Sequence, residues 1–111
     1  FENEHQIQNI EPNIPEIAKI NARGIIVSSI SENFDFVSRF FGPNCGVNED
    51  PVTGSAHTTL TPFWAEKLGK TKLTAKQISK RGGVLECELK NDRVLISGKC
   101  KTYLKGEIFI N

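Results

Sequence analysis

The sequence has no large excess of charge of either sign and no long apolar run. Lysine and arginine number 14, and aspartate and glutamate number 13, which leaves a net charge of +1 over 111 residues. So small a charge creates no global field that would favour nucleic acid or an anionic membrane. The longest apolar runs, near residues 24–27 and 94–96, are far shorter than the roughly 20 residues that cross a bilayer. These absences predict a soluble protein without nucleic-acid or membrane partners.

The chain also lacks a secretory signal pattern and any internal boundary. Its first six residues, FENEHQ, do not combine a basic stretch with an apolar one. No repeat, low-complexity tract or linker divides the sequence, and 111 residues suffice for one domain but not for two ordinary ones. We therefore expect a single domain over residues 1–111, in a cytoplasmic protein.

Cysteine and histidine are too few and too irregularly spaced for a disulfide framework or a zinc site. The three cysteines, Cys45, Cys87 and Cys100, form no C-x-x-C pair, and the two histidines are far apart. We expect reduced thiols and no metal. Cys87 alternates with two leucines and should be a core thiol. Cys45 is either a reactive thiol or a passive loop residue, and the lack of an adjacent basic residue favours the second.

Apolar periodicity predicts an α+β domain with six strands around one long helix. The predicted strands cover residues 24–30, 34–41, 72–79, 84–90, 93–97 and 103–110. Asn91 and Asp92 predict a hairpin turn, and Pro15 is placed to begin a short helix. Period-two alternation puts Arg39 on the same face as Asp35, where we expect an ion pair.

Residues 39–68 read as a strand end, a loop and the long helix. Gly54, Ser55 and Ala56 lead into the helical apolar pattern, which places these small residues at the helix N-terminus. There the first backbone N–H groups lack intrahelical partners and the helix dipole adds partial positive charge, so the end attracts anions. Gly54 would let a ligand approach closely, and Ser55 would cap the helix or donate a hydrogen bond.

Asp50 precedes this helix end by only a few residues. A carboxylate beside an anion site suggests proton handling on a small organic acid. The ordinary alternative is that the Asp-Pro and Gly-Ser pairs serve only as turn and cap residues.

The long helix should form the centre of the core. Gly69 is placed to end it in the left-handed conformation. Pro62 falls inside it and should remove a backbone bond to Thr58 and kink the helix, unless the helix begins later. The predicted buried stripe consists of Ala56, Leu60, Phe63, Trp64 and Leu68.

The string E-D-P-V-T-G-S-A-H, residues 49–57, closely resembles the signature of the phenazine-biosynthesis (PhzF-like) isomerase family. The lead-in of Arg39, Phe40 and Pro43 agrees with it, as do P-F-W-A-E-K-L-G-K at residues 62–70 and Q-I-S-K-R-G-G at residues 77–83. The resemblance implies a diaminopimelate-epimerase-like fold, in which two similar domains face each other across the active site. This chain resembles only the second, C-terminal domain, a curved mixed sheet wrapped around one central helix.

The resemblance further implies an isomerase that uses neither metal nor cofactor. Such an enzyme removes a proton from a carbon acid and returns one elsewhere, as a double-bond isomerisation or an epimerisation of a small carboxylate-containing metabolite. Asp50 resembles the carboxylate that supports proton shuttling, and Ser55 resembles the active-site serine. The substrate-binding positions implied in the same way are Gly54, Ala56, His57, Arg81 and Gly82.

The family's principal base is a glutamate of the first domain, and no residue here matches it. We therefore expect the isolated chain to be inactive, and its cleft to be covered by a complementary N-terminal domain or by a homo-oligomer, with a dimer as the first expectation. The alternative function is a non-catalytic half-domain that binds anions and self-associates or pairs with a separate first domain. For His57, we expect a role in holding the loop, with direct proton transfer as the other possibility.

Overall fold

The computed structural model describes all 111 residues, which form three helices and one five-stranded sheet. None of the helices has the length and hydrophobicity that a membrane span requires. The α+β class is confirmed, and the first five predicted strands are present within two residues of their predicted bounds. The elements are α1 (Glu4–Gln8), α2 (Ile14–Ala18), β1 (Ile25–Ile30), β2 (Phe36–Phe41), a 3-10 turn (Pro43–Cys45), α3 (Gly54–Leu68), β3 (Lys72–Gln77), β4 (Gly83–Lys90) and β5 (Arg93–Ser97).

The sheet is mixed, and its strands follow one another in chain order from β1 to β5. Neighbouring strands are antiparallel except β2 and β3, which run parallel over three residue pairs. Parallel neighbours cannot be joined by a tight turn, and α3 provides the crossover between them. The loop that enters α3 therefore starts at the carboxyl end of β2, beside the carboxyl end of β3.

The core lies between α3 and one face of the sheet. Phe36 of β2 stacks on Trp64 of α3 at a centroid distance of 5.7 Å and an interplanar angle of 7°. Trp64 also donates its indole N–H to the Ser28 hydroxyl at 3.2 Å. The thiol of Cys87 is buried in this core, as predicted, and burial raises its pKa. The remaining members of the core cluster are Leu60, Ala65, Leu73, Ala75 and Leu85.

The buried stripe of α3 differs from the predicted one. Phe63 is 49% exposed and packs edge-on against Trp64, so its prediction as a core residue is wrong. Successive helical residues are rotated by 100°, so Phe63, next to the buried Trp64, lies on the flank of the helix and not on the side that faces the sheet. Two polar residues, His57 and Thr61, are fully buried in the stripe instead, and Leu68 is half-buried.

The residues at the two ends of α3 determine where the helix begins and ends. Gly69 has φ 65° and ends the helix in the left-handed conformation, as predicted. The helix continues through Pro62, which lies on its exposed side. The N-cap residue is Thr53, not Ser55, and Ser55 lies in the first helical turn.

The opposite face of the sheet is covered only in part. Helix α1 packs against β1 and β2 and buries Ile7 completely. No helix covers the same face of β3, β4 and β5, where Val84 and Leu95 are about half exposed. A cavity of about 590 Å³ on this open face contains none of the predicted site residues.

Two further predictions are wrong. Arg39 does not pair with Asp35; it binds Glu49, and Asp35 binds Lys70 and Thr74. The reason is that Asp35 precedes the first residue of β2, so the period-two rule does not extend to it. The sixth strand, residues 103–110, is absent, because the chain after Ser97 forms no strand and finds no sheet edge.

Candidate active site

The candidate site lies where β2 and β3 end and α3 begins. Ligands of sheets with parallel strands bind outside the carboxyl ends of those strands, because the loops there surround a crevice. In this chain the loop of residues 42–53 leaves β2 at that edge, and Gln77 ends β3 beside it. The residues of the motif are therefore gathered by the one parallel strand pair of the sheet.

Asp50 is held in place by its backbone and by one of its carboxylate oxygens. Its amide donates to the carbonyl oxygen of Phe40 at 3.0 Å, and its Oδ2 accepts the Thr53 hydroxyl at 2.6 Å. The residue is half-buried, and Oδ1 has no hydrogen-bond partner in the chain. One oxygen is thus fixed, while the other has no hydrogen bond within the chain.

Gln77 connects the end of β3 to this loop with three hydrogen bonds. Its Oε1 accepts the Thr53 amide at 2.7 Å, and its Nε2 donates to the Asp50 carbonyl oxygen at 2.7 Å and to Thr53 Oγ1 at 3.0 Å. The side chain is fully buried, so these bonds have no competition from solvent. The positions of Asp50 and of the N-cap of α3 consequently depend on a residue 27 positions away from Asp50 in the chain.

Arg39 fixes the residue before Asp50. Its Nε and Nη2 donate to the two carboxylate oxygens of Glu49 at 2.7 and 3.0 Å. Its Nη1 donates to the carbonyl oxygens of Ile7 and Ile10 at 3.0 and 2.8 Å, which ties the end of α1 to the same group. The Arg39 side chain is only 11% exposed, and a bidentate pair in such a setting is rigid.

The first turn of α3 presents free backbone donors. The amides of Gly54, Ser55 and Ala56 form no hydrogen bond with a side chain or with the preceding loop. Gly54 and Ser55 are exposed, and a Cβ added at Gly54 would meet no atom within 4 Å. Open space therefore adjoins a helix end with partial positive charge, an arrangement suited to an anion.

His57 is turned away from this space. Its ring is fully buried and stacks on Phe36, and its Nδ1–H donates to the Thr53 carbonyl oxygen at 2.8 Å. Burial lowers the pKa of His57, although the bond to Thr53 works in the opposite direction. The ring therefore holds the N-cap residue Thr53 in place, while its Nε2 has no partner. This position favours a loop-holding role over direct proton transfer.

The loop that contains Arg81 and Gly82 adjoins the motif. The Ser79 hydroxyl donates to the Pro51 carbonyl oxygen at 2.8 Å and accepts the Gly82 amide at 3.0 Å. A cavity of about 510 Å³ next to it is lined by Glu49, Pro51, Ser79, Lys80 and Arg81. Arg81 thus shares a cavity with the motif, whereas Gly82, at φ 69°, shapes the turn.

Three residues that matter to this geometry were not among the predicted site residues. They are Gln77, Thr53 and Glu49. Gln77 had a recognisable signal, because it follows Leu73 and Ala75 on the inward face of its strand, and a polar side chain in an apolar series requires buried partners. Thr53 and Glu49 lie within the motif itself, but Gln77 and Arg39, which bind them, come from the neighbouring strands.

Comparison with known proteins gives the family. The model of the phenazine biosynthesis-like protein family (PhzC-PhzF) matches residues 1–106, so the chain belongs to that family. An uncharacterized isomerase of Pseudomonas aeruginosa is 50% identical over 109 residues, which are 98% of this chain and 42% of that protein. A mouse phenazine biosynthesis-like domain-containing protein 2 is 45% identical over 90% of this chain and 37% of its own length.

Solved structures agree with this assignment. A PhzC/PhzF protein of Clostridium difficile superimposes with a TM-score of 0.87 at 45% identity, over 99% of this chain and 43% of that one. A PhzF-family protein of Enterococcus faecalis gives 0.89 at 41% identity, with the same coverages. The chain therefore spans about two fifths of the length of these relatives.

Proposed function

We propose that this chain forms one wall of the active site of a cofactor-independent isomerase that moves a proton on a small carboxylate-containing substrate. The observation that carries the proposal is the fixed Asp50 carboxylate, with Oδ1 unpartnered, beside the free amides of α3. The amides would bind the substrate carboxylate, and Asp50 would pass a proton to or from it. Relatives that bear the name isomerase support the reaction class.

Ser55, Arg81 and a complementary domain would each have a separate role in this site. Ser55 is exposed in the first turn of α3, where both its amide and its hydroxyl can reach a bound ligand. Arg81 is exposed across the loop and adds positive charge near the motif. The main base of the reaction would come from a complementary N-terminal domain, which would also exclude water from the site. A reducing, cytoplasmic setting is part of the proposal, because it suits the three free cysteines.

The binding step can be tested on this chain alone. Sulfate or acetate titrated into the protein should shift the amide NMR signals of Gly54, Ser55 and Ala56. Affinity should be weak, because an open site offers only a few charge-assisted bonds of about 1.5–3 kcal/mol each, before the cost of immobilising the ligand.

Three variants separate the contributions. Ser55→Pro deletes one amide donor at a position where a helix tolerates proline, and should weaken binding, whereas the matched Ser55→Ala keeps the amide and should bind normally. Asp50→Asn removes a repelling charge and should preserve or tighten binding. Shifts that cluster elsewhere, or loss of binding in a folded Asp50→Asn protein, would contradict the proposed site.

The catalytic step distinguishes an isomerase from a module that only binds anions. Proton exchange at a substrate carbon should be absent for the pure chain and should require a complementary domain, and Asp50→Asn should abolish it in the complete enzyme. Equal exchange by the complete enzyme with Asp50 and with Asn at this position would favour the binding module.

A further inference from the structure

Thr53 is the N-cap residue of α3, but its hydroxyl does not cap the helix. An N-cap threonine ordinarily accepts a hydrogen bond from the amide of the second or third helical residue. Here the hydroxyl binds Asp50 and Gln77 instead, and the residue is only 5% exposed. The first amides of α3 are therefore left without this acceptor, and the hydroxyl serves the Asp50 loop.

The partners of Gln77 fix which end of its side-chain amide faces each group. The Thr53 backbone N–H can only donate, so the atom that meets it at 2.7 Å is the carbonyl oxygen, Oε1. The Asp50 carbonyl oxygen can only accept, so the atom at 2.7 Å from it is the amino nitrogen, Nε2. Because an amide nitrogen is a donor and not an acceptor, Nε2 also donates to Thr53 Oγ1, at 3.0 Å.

This donation determines the direction of the hydrogen bond between Thr53 and Asp50. Since Oγ1 accepts from Gln77, its own single hydrogen is directed to Asp50 Oδ2 at 2.6 Å. In the reverse arrangement a protonated Oδ2 would donate to Oγ1, and the hydroxyl hydrogen would lose the acceptor that it has in the chain. An unpaired buried donor is costly, so Oδ2 remains an acceptor.

We propose that Thr53 and Gln77 are positioning residues that confine the exchangeable proton of Asp50 to Oδ1. When Asp50 takes up a proton, the new O–H bond forms at Oδ1, and Oδ2 becomes the carbonyl oxygen. When Asp50 releases the proton, the same O–H bond breaks and the electron pair stays on Oδ1. The inference rests on the proposed role of Asp50 in proton transfer, because it names the atom that would perform it.

The variant Asp50→Asn tests this orientation at neutral pH. Its side-chain amide has one acceptor oxygen and one amino group in place of the two carboxylate oxygens. Neutron diffraction from a deuterated crystal distinguishes the two groups directly. We expect the carbonyl oxygen in the place of Oδ2, where it accepts from the Thr53 hydroxyl, and the deuterated amino group in the place of Oδ1. The opposite orientation would overturn the inference.

Infrared difference spectra between acidic and neutral solution test the carboxyl group of the unaltered chain, with folding followed by Trp64 fluorescence. The carbonyl stretching band of protonated Asp50 is the one that is absent from the Asp50→Asn spectrum. A hydrogen bond to a carbonyl oxygen lowers its stretching frequency, so the band should move to higher frequency in Thr53→Val, which lacks the hydroxyl. Thr53→Ser keeps the hydroxyl and should keep the band in place.

The matched control is Thr58→Val, which removes an exposed hydroxyl that donates to the Ser55 carbonyl oxygen at 2.7 Å. It should leave the Asp50 band unchanged. A band that is equally indifferent to Thr53→Val would place the proton on Oδ2 and would overturn the inference. The neutron measurement leaves Thr53 unaltered, so it decides the question even if Thr53→Val does not fold.

Neither measurement needs a ligand or a reaction, which separates this inference from the proposed function. Absence of sulfate binding at Gly54, Ser55 and Ala56 would count against the proposed function and not against the orientation of the Asp50 carboxyl group. Normal sulfate binding by an Asp50→Asn protein whose amide has the opposite orientation would overturn only the assignment of the proton to Oδ1.

Discussion

Replacement of Gln77 by alanine should loosen the Asp50 loop and destabilise the whole domain. The glutamine makes its three hydrogen bonds from a fully buried position, and two of them satisfy backbone groups, the Thr53 amide and the Asp50 carbonyl oxygen. Alanine removes all three hydrogen bonds at once and leaves a space that only water can fill.

The expected loss follows from the groups left behind. A buried donor or acceptor without a partner costs about 1–3 kcal/mol, and two backbone groups would be left in this state. The Thr53 hydroxyl keeps its bond to Asp50 Oδ2, so it adds little. Water entering the space would restore part of the loss, and we expect the free energy of unfolding to fall by about 3 kcal/mol.

Urea denaturation followed by tryptophan fluorescence measures this change, since Trp64 lies in the core. Lys72→Ala, at the exposed start of the same strand, is the matched control and should change stability by less than about 0.5 kcal/mol. A second variant, Gln77→Glu, keeps the acceptor but buries a charge that is neutralised in acid. It should be less stable than Gln77→Ala at pH 7 and recover relative to it near pH 4. A loss below about 1 kcal/mol for Gln77→Ala would refute the role given to these bonds.

Three further outcomes are expected. Arg39→Ala leaves the Glu49 carboxylate without its partner and should lower the free energy of unfolding by about 3–5 kcal/mol in urea denaturation. An almost unchanged free energy of unfolding would mean that solvent already screens the pair. Because burial lowers the pKa of His57, the unfolded chain binds a proton that the folded chain does not. Stability should therefore fall as pH drops below about 6.5, by at most about 1.4 kcal/mol per pH unit, and His57→Gln should flatten this part of the thermal-melting profile. Gly83→Ala would place a Cβ in steric conflict with Val52 Cγ2 and should lower the free energy of unfolding by about 1–3 kcal/mol; an unchanged melting temperature would show that the Val52 side chain can move aside at little cost.

Local chemistry made much of the fold predictable. Gly69 ends α3 because only a residue without a side chain adopts its conformation cheaply, and alternation in β3 and β4 marks their inward faces. The helix N-terminus at Gly54 was equally visible, because small residues precede an apolar periodic run.

Long-range contacts decided what could not be predicted. The partner of Arg39 is set by how α1 and the loop meet behind β2, which no period-two rule describes. The burial of His57 depends on a stacking surface that Phe36 supplies from a different element. Residues 103–110 have a genuine strand pattern, but strand formation needs a neighbouring edge, and the sequence does not show whether one is available.

The short parallel pairing of β2 and β3 affects the order in which the sheet forms. Every other strand pair joins neighbours in the chain through a short connection, so those pairs can form early and locally. The β2–β3 pairing has only three residue pairs, and its formation closes a loop that contains the whole of α3. We therefore expect it to be the slowest strand pairing to form and the one with the largest entropic cost. The hydrogen bonds of Gln77 to Thr53 and Asp50 connect the end of β3 to the loop that follows β2, and so they span this same pairing. A transient opening of the β2–β3 pairing would therefore disrupt the proposed anion site while the rest of the sheet stays intact, and a bound carboxylate should slow that opening.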